Sequence, residues 1–223
     1  MKTKYWFPII TFILSFGCAF FVAIKVFPNN PFTGNKAQTN LAATIQDGDL
    51  IFQTSESKQC EAVRIATNSK FSHCGIIFKE NGNWMVFEAV QPVKVTPLEQ
   101  WIKHGRDSKY VIKRLQDPSV LNTTSLSKMK AYGKSLLGKE YDAYFEWSDN
   151  RIYCSELIWK VYKNGAGIEL SKTKLLKDFN LTDPRIQPIL KERYGNEIPL
   201  DEKVVAPSDL ADSNLLKTII DTY

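Results

Sequence analysis

The sequence predicts an α+β domain, a mainly antiparallel sheet packed on helices, preceded by one apolar N-terminal segment. Three observations carry this. Strand-like and helix-like segments come in unequal runs instead of strict alternation. Two apolar strands flank Glu80-Asn81-Gly82-Asn83, a strong hairpin signal. The run Tyr5 to Ile24 holds 20 residues without a charge. With 223 residues, 43% of them hydrophobic and 24% charged, wholesale disorder and a disulfide-stapled mini-protein are both excluded.

The formal net charge of +5 is unevenly spread. Lys2, Lys4, Lys25 and Lys36 precede the first acidic residue, Asp47, and setting them aside leaves 25 basic and 24 acidic residues on the remaining 187. The body is therefore near neutral and has no basic stripe, which argues against nucleic-acid binding. As a helix, the run YWFPIITFILSFGCAFFVAI would span about 30 Å, one hydrocarbon core. Pro8 lies in its first turn, where proline is tolerated. Three readings compete for this run: a retained anchor, a signal peptide cleaved at the small residues Gly17 and Ala19, and a lipoprotein anchored at Cys18. Phe20, Phe21 and Val22 continue the run past the cleavage site and favour the anchor. All three place the body outside the cytoplasm, because Lys2 and Lys4 favour staying inside. The expected organisation is an anchor or signal segment over 1–27, a linker over 28–44 marked by Pro28, Asn29, Asn30, Pro31, Gly34 and Asn35, and one domain over 45–223.

The elements follow in order. Asp47-Gly48-Asp49 turns into a strand at Leu50 to Gln53, and Ser57 to Thr67 carries apolar positions at Cys60, Val63, Ile65 and Ala66 that suit a short helix. HCGIIF (73–78) and WMVFEAV (84–90) form the hairpin. A strand at Val93 to Val95 leads into Thr96-Pro97-Leu98-Glu99, which has the form of a capping box with proline at the first helical position. That helix should end near Gly105. Tyr110 to Leu115 reads as a strand, Ser127 to Leu137 as a helix stopped by Gly138, and Cys154 to Lys163 as a helix stopped near Gly165.

Titratable groups for chemistry are few: two histidines and, outside the apolar run, three cysteines. If Asn81 and Gly82 form a two-residue loop, Gly75 faces Glu88 and His73 faces Val90. Positions 73, 75 and 77 then share a face with 86, 88 and 90. Glu88 is diagonal to His73, with Cβ atoms roughly 7 Å apart, and Gly75 has no side chain to separate them. A carboxylate between Phe87 and Ala89 is costly without such a partner. Cys74 points to the opposite face and suits a small core residue better than half of a disulfide with Cys60. Cys154 opens an amphipathic helix, where the dipole and free N–H groups favour thiolate; a buried cysteine packing a helix start is the competing reading. Were Cys154 to meet His73, the histidine would withdraw the thiol proton, Glu88 would hold the other ring nitrogen, and the main-chain N–H of Cys154 would face the oxyanion.

The segments DGDLIFQ (47–53), ATNSKFSHCGIIF (66–78), VFEAV (86–90), GKEYDAYFEW (138–147), YCSELIWKVY (153–162) and VVAPSDLADS (204–213) resemble the YiiX/YebB-like, circularly permuted papain-like amidases of the NlpC cell-wall hydrolase superfamily. In ordinary papain-like enzymes the cysteine precedes the histidine; here His73 comes first. The resemblance implies a permuted papain-like (NlpC-type) fold, with Cys154 as nucleophile, His73 as base, Glu88 as the orienting residue, and Tyr141, Asp142 and Tyr153 on the substrate side. A structural turn is an equal reading of the Tyr-Asp pair. Residues 165–199 match no motif and read as a substrate-side elaboration. His104 reads as a solvated histidine at a helix end. A zinc site from His73, Cys60, Cys74 and Cys154 is disfavoured, because alternation splits His73 from Cys74 and no CxxC or HxxxH spacing exists; no metal or cofactor is expected.

The functional expectation is an envelope-anchored cysteine hydrolase acting on amide bonds, with cell-wall peptide (peptidoglycan) as the substrate suggested by analogy and location. Two alternatives stand beside it: an acyl-lipid or N-acyl amide hydrolase or transferase on the same fold, and a non-catalytic wall-binding module.

Overall fold

A computed structural model describes residues 36–223. The run Tyr5 to Ile24, with its anchor, signal and lipoprotein readings, lies outside the described residues. Among the described residues no helix is long and apolar enough to cross a membrane. The elements run α1 (Lys36–Thr44), β1 (Leu50–Gln53), α2 (Lys58–Thr67), β2 (His73–Glu80), β3 (Asn83–Glu88), β4 (Lys94–Pro97), α3 (Leu98–Lys103), β5 (Val111–Leu115), α4 (Thr123–Ser135), β6 (Glu140–Tyr141), β7 (Arg151–Ile152), α5 (Cys154–Ala166), β8 (Lys174–Leu175), α6 (Gln187–Tyr194), β9 (Lys203–Val204), α7 (Pro207–Ala211) and β10 (Leu216–Asp221). Six strands form one antiparallel sheet in the order β10-β5-β1-β2-β3-β4. This is the α+β architecture with an antiparallel sheet that the sequence predicts.

Strand alternation sorts the core onto two faces. Leu50 and Phe52 of β1, Cys74, Ile76 and Phe78 of β2, and Phe87 of β3 share one cluster with Leu157, Ile158 and Val161 of α5. Ile51, Ile77 and Val86 point the other way, onto Leu98 and Trp101 of α3. The hairpin has the expected register: Ile76 pairs with Phe87 and Glu80 with Asn83. Asn81 and Gly82 both have positive φ, 49° and 83°, as the two-residue turn that matches strand twist requires. At Gly75 a Cβ would lie 2.3 Å from Val86 Cγ1, so the position opposite Glu88 admits no side chain.

Four expectations are corrected. The linker expected over 28–44 ends in a helix, because Lys36–Thr44 folds as α1 and Leu41 packs with Ile45 on the second-face cluster. The capping box at Thr96 does not form: Pro97 occupies the N-cap of α3 without a side-chain cap, and Thr96 is a buried residue of β4. Helix α4 begins at Thr123 instead of Ser127, because Asn122 caps it with hydrogen bonds from the N–H groups of Thr124 and Ser125. Helix α5 continues through Gly165 to Ala166 and is closed by Gly167 at φ 73°. Gly165 is instead a point of close approach to α4: a Cβ there would sit 2.5 Å from Met129 Cα.

Candidate active site

Helix α5 starts at Cys154 because Tyr153 is extended (φ −101°, ψ 167°) and its N–H is held by the carboxylate of Glu156, three residues on, at 3.3 Å. Glu156 is itself buried and paired with Lys160 Nζ at 2.7 Å. Burial pushes the Glu156 carboxyl up to about 7 against the pull of Lys160. Packing of α5 against β2 brings the helix start to the first residues of that strand, where His73 lies.

His73 Nε2 is 2.7 Å from Glu88 Oε2, the pairing that the hairpin register predicts. The second Glu88 oxygen accepts a hydrogen bond from Thr96 Oγ1 on β4. Trp101 of α3 covers the imidazole, ring centroids 5.6 Å apart and nearly parallel. Glu88 is 2% exposed, so both oxygens are satisfied within the protein. Burial would raise its carboxyl, but His73, then Thr96 and Lys94, hold it below the ordinary range. Thr96 is the residue that sequence reasoning missed. Its T-x-x-E context reads equally as a cap, and only the β3–β4 register, which pairs Val86 with Thr96, sets it beside Glu88.

Cys154 and Glu88 both act on the imidazole. Burial alone would depress the His73 imidazolium; hydrogen bonding to Cys154 and Glu88 and their charges overcome it and raise the group to about 10. The Cys154 thiol is held well below its ordinary value by Cys74 first, against burial, and then by His73. Burial and the neighbouring Cys154 push Cys74 well above the ordinary thiol range, so its proton stays in place. Cys74 does lie on the face opposite Glu88, as alternation requires, but that face is the one α5 packs on. It is a core residue and also the neighbour that acts most on the Cys154 thiol. Cys60 and Cys74 are both free thiols.

Of the three expected substrate-side residues, one reaches the cleft. Tyr141 borders both an apolar pocket that includes Cys154 and a polar cleft that includes His73. Asp142 is fully buried and accepts hydrogen bonds from the N–H groups of Tyr144 (2.8 Å) and Glu146 (2.7 Å), which fixes the loop after β6. This is the structural-turn reading. Tyr153 is buried in the main core cluster, with its hydroxyl accepting from Val205 N at 3.3 Å. His104 is the exposed C-cap of α3 at the rim of the polar cleft.

The apolar pocket, about 730 Å³ and partly open to solvent, is lined by Ala62, Val63 and Ala66 of α2, by Phe145, and by Leu176, Phe179, Leu181, Ile186, Ile189 and Leu190. The last six come from the segment 165–199 that matched no motif. The more polar cleft is open to solvent and carries Gln53, Ser55, Gln59, Gln91 and Lys94. Among the described residues no three His, Cys, Asp or Glu side chains gather as a metal ligand set.

A thiolate beside an imidazolium suits acyl transfer, and here the chain supplies the histidine before the cysteine. The class so defined is a cysteine hydrolase of permuted papain-like order. Residues 44–220 match the family model described as permuted papain-like amidase enzyme, YaeF/YiiX, C92 family. The chain belongs to this family and is a cysteine amidase. It is 47% identical over 174 residues to the protein YiiX of Escherichia coli (strain K12), covering 78% of this chain and 85% of that one. A solved structure titled as the metalloprotein yiiX from Escherichia coli O157:H7 superposes with a TM-score of 0.77 at 46% identity, covering 81% of this chain and 99% of that one.

Proposed function

We propose that the protein hydrolyses N-acyl amides through a Cys154 thioester, with His73 as acid and base and Glu88 orienting it. The Cys154 thiolate attacks the acyl carbonyl and a C–S bond forms. The main-chain N–H of Cys154, free at the helix start, faces the developing oxyanion. As the intermediate collapses, the C–N bond breaks and the amine leaves with the proton of the His73 imidazolium. His73 then takes a proton from water, which attacks the thioester; the carboxylic acid departs and the thiolate is restored. Glu88 stays ionised throughout and stabilises the imidazolium.

The observation that carries the substrate reading is the division of the site. The acyl side, beside Cys154, is walled mainly by leucine, isoleucine, valine and phenylalanine, and the side beside His73 is the more polar of the two, with Gln53, Ser55, Gln91 and Lys94 among apolar neighbours. An aliphatic acyl chain gains from burial in the first and an amine leaving group is hydrated in the second. A wall peptide would find few partners for its acyl-side amide groups along the aliphatic wall, which supports the N-acyl reading over the wall-peptide one. The uncharged run Tyr5 to Ile24 would hold such an enzyme at a lipid surface, outside the cytoplasm. The word metalloprotein belongs to the solved relative's title; the donor groups described here form no ligand set, and no step above passes through a metal.

The test is mass spectrometry of products after incubation with a panel of N-acyl amino acids and with peptidoglycan fragments, with Cys154→Ala as control. Free fatty acid released by the wild type and absent with Cys154→Ala is the expected result. New wall-peptide ends without fatty acid would overturn the substrate assignment, and release by Cys154→Ala would overturn the nucleophile.

A further inference from the structure

Three side chains from separate parts of the chain form a line that ends at the seam between the two halves of the site. Arg193 Nη2, on α6, donates to Gln59 Oε1, on α2, at 3.3 Å. Gln59 Nε2 donates to the hydroxyl of Tyr141, on β6, at 2.8 Å. Arg193 and Gln59 border the apolar pocket, and Gln59 and Tyr141 border both pocket and cleft.

The direction of this line is fixed by chemistry. A guanidinium has only donors, so the end of the Gln59 amide that faces Arg193 must be its oxygen. The other end is then the NH₂ group, which can only donate, and the Tyr141 oxygen accepts it. With that lone pair occupied, the one phenolic proton of Tyr141 is released for another acceptor. Burial first, and the nearby Cys154, keep the phenol from ionising, so the proton is retained at any working pH.

We propose that Gln59 and Arg193 are positioning residues that set the polarity of Tyr141, so that its hydroxyl donates to the oxygen of the carbonyl attacked by Cys154. The arrangement also assigns a role to the unmatched segment 165–199. Besides walling the pocket, it supplies Arg193, which determines which way the amide on α2 is turned. A donor aimed at the developing oxyanion strengthens as charge builds there, so the effect falls on the rate of the chemical step more than on binding.

The proposal rests on the amidase reading above, and the experiment separates the two. The probe is the 4-nitroanilide of dodecanoic acid, followed by nitroaniline release in the full-length protein. Gln59→Glu preserves shape but replaces the NH₂ donor by a carboxylate oxygen, which would take the Tyr141 proton for itself. The expected result is a fall in kcat of about 10²-fold with KM within threefold, matching Tyr141→Phe. In the Tyr141→Phe background, Gln59→Glu should cost nothing further, because the proton it redirects is gone. Arg193→Met, which frees the amide to turn, should lower kcat by a smaller factor that Arg193→Lys restores. The same fold loss for Gln59→Glu with and without the Tyr141 hydroxyl would overturn the proposal, as would a KM effect without a kcat effect. If the wild type releases no more nitroaniline than Cys154→Ala, the amidase reading itself fails and takes this proposal with it.

Discussion

Glu88 is the residue on which the electrostatics of the site turn. It is buried on a strand of otherwise apolar neighbours, and its charge is tolerated only because His73 and Thr96 each take one oxygen. The consequence is an ion pair at the reacting centre. His73 binds its proton more tightly in the folded protein than at its ordinary value of 6.5, so this contribution to stability is complete below that pH and fades as the pH rises toward about 10. Cys154 ionises more readily than its ordinary value of 9.0, so its contribution is present above that pH and is lost as the pH falls. Both shifts favour the thiolate–imidazolium pair over the neutral pair. The alkylation rate of Cys154 by iodoacetamide should therefore already be near its maximum at neutral pH, and faster than that of Cys60 or Cys74. Glu88→Gln removes the charge that helps hold the imidazolium, so the rise in alkylation should move to higher pH by on the order of one unit. An unchanged profile would leave Glu88 a packing residue. The His73–Glu88 pair was legible in the sequence because a two-residue turn fixes the register of adjacent strands by arithmetic alone. The contact between His73 and Cys154 was not, since it depends on how α5 settles on the sheet. Cys74 shows the same limit: alternation placed it on the correct face without revealing that the helix start lies there.

Helix α5 carries Cys154, the proposed nucleophile, and its placement depends on one close approach. Gly165 lets α4 come so near that an added Cβ would meet Met129 Cα and Cγ at 2.5 Å and Met129 N at 2.7 Å. Two effects of Gly165→Ala oppose each other. Helix propensity favours alanine by about 1 kcal/mol, while overpacking against atoms that cannot move costs about 1–3 kcal/mol. Two of the clashing atoms are backbone, so the second effect should win. A urea unfolding midpoint should fall, by net destabilisation on the order of 1 kcal/mol, and a raised midpoint would show that α4 and α5 separate freely. From the sequence this glycine reads as a stop because a helix interior rarely benefits from one. Packing against a neighbour outweighed propensity there, and Gly167 closes the helix instead. The capping box expected at Thr96, which does not form, has a related cause. One hydroxyl can cap its own helix or satisfy a carboxylate on the next strand, and the buried Glu88 has the greater need. Strand β1 and the 73–88 hairpin, by contrast, were legible nearly residue for residue, because alternation and a positive-φ turn are local properties.

At the scale of the whole molecule, the folded body is close to neutral and the site is divided between an apolar wall and a polar one. The apolar wall was not legible from sequence. Leu176, Phe179, Leu181, Ile186, Ile189 and Leu190 sit on a short 3₁₀ turn, a connecting loop and the start of α6, with no period that a pattern could reveal. Their common property emerges only when they close over Cys154 together with α2. If this wall receives the acyl chain, each methylene it covers leaves water, a gain of about 0.8 kcal/mol, or roughly fourfold in kcat/KM. A series of acyl 4-nitroanilides of increasing chain length should then show kcat/KM rising about fourfold per methylene until the pocket is filled, and levelling beyond that point. Leu190→Asp, at the buried wall contributed by α6, should flatten the rise while leaving the rate for a short acetyl substrate within threefold, since the acetyl group does not reach it. A flat series in the wild type would remove the acyl chain from this pocket. A rise that survives Leu190→Asp undiminished would move the chain to another surface of the protein.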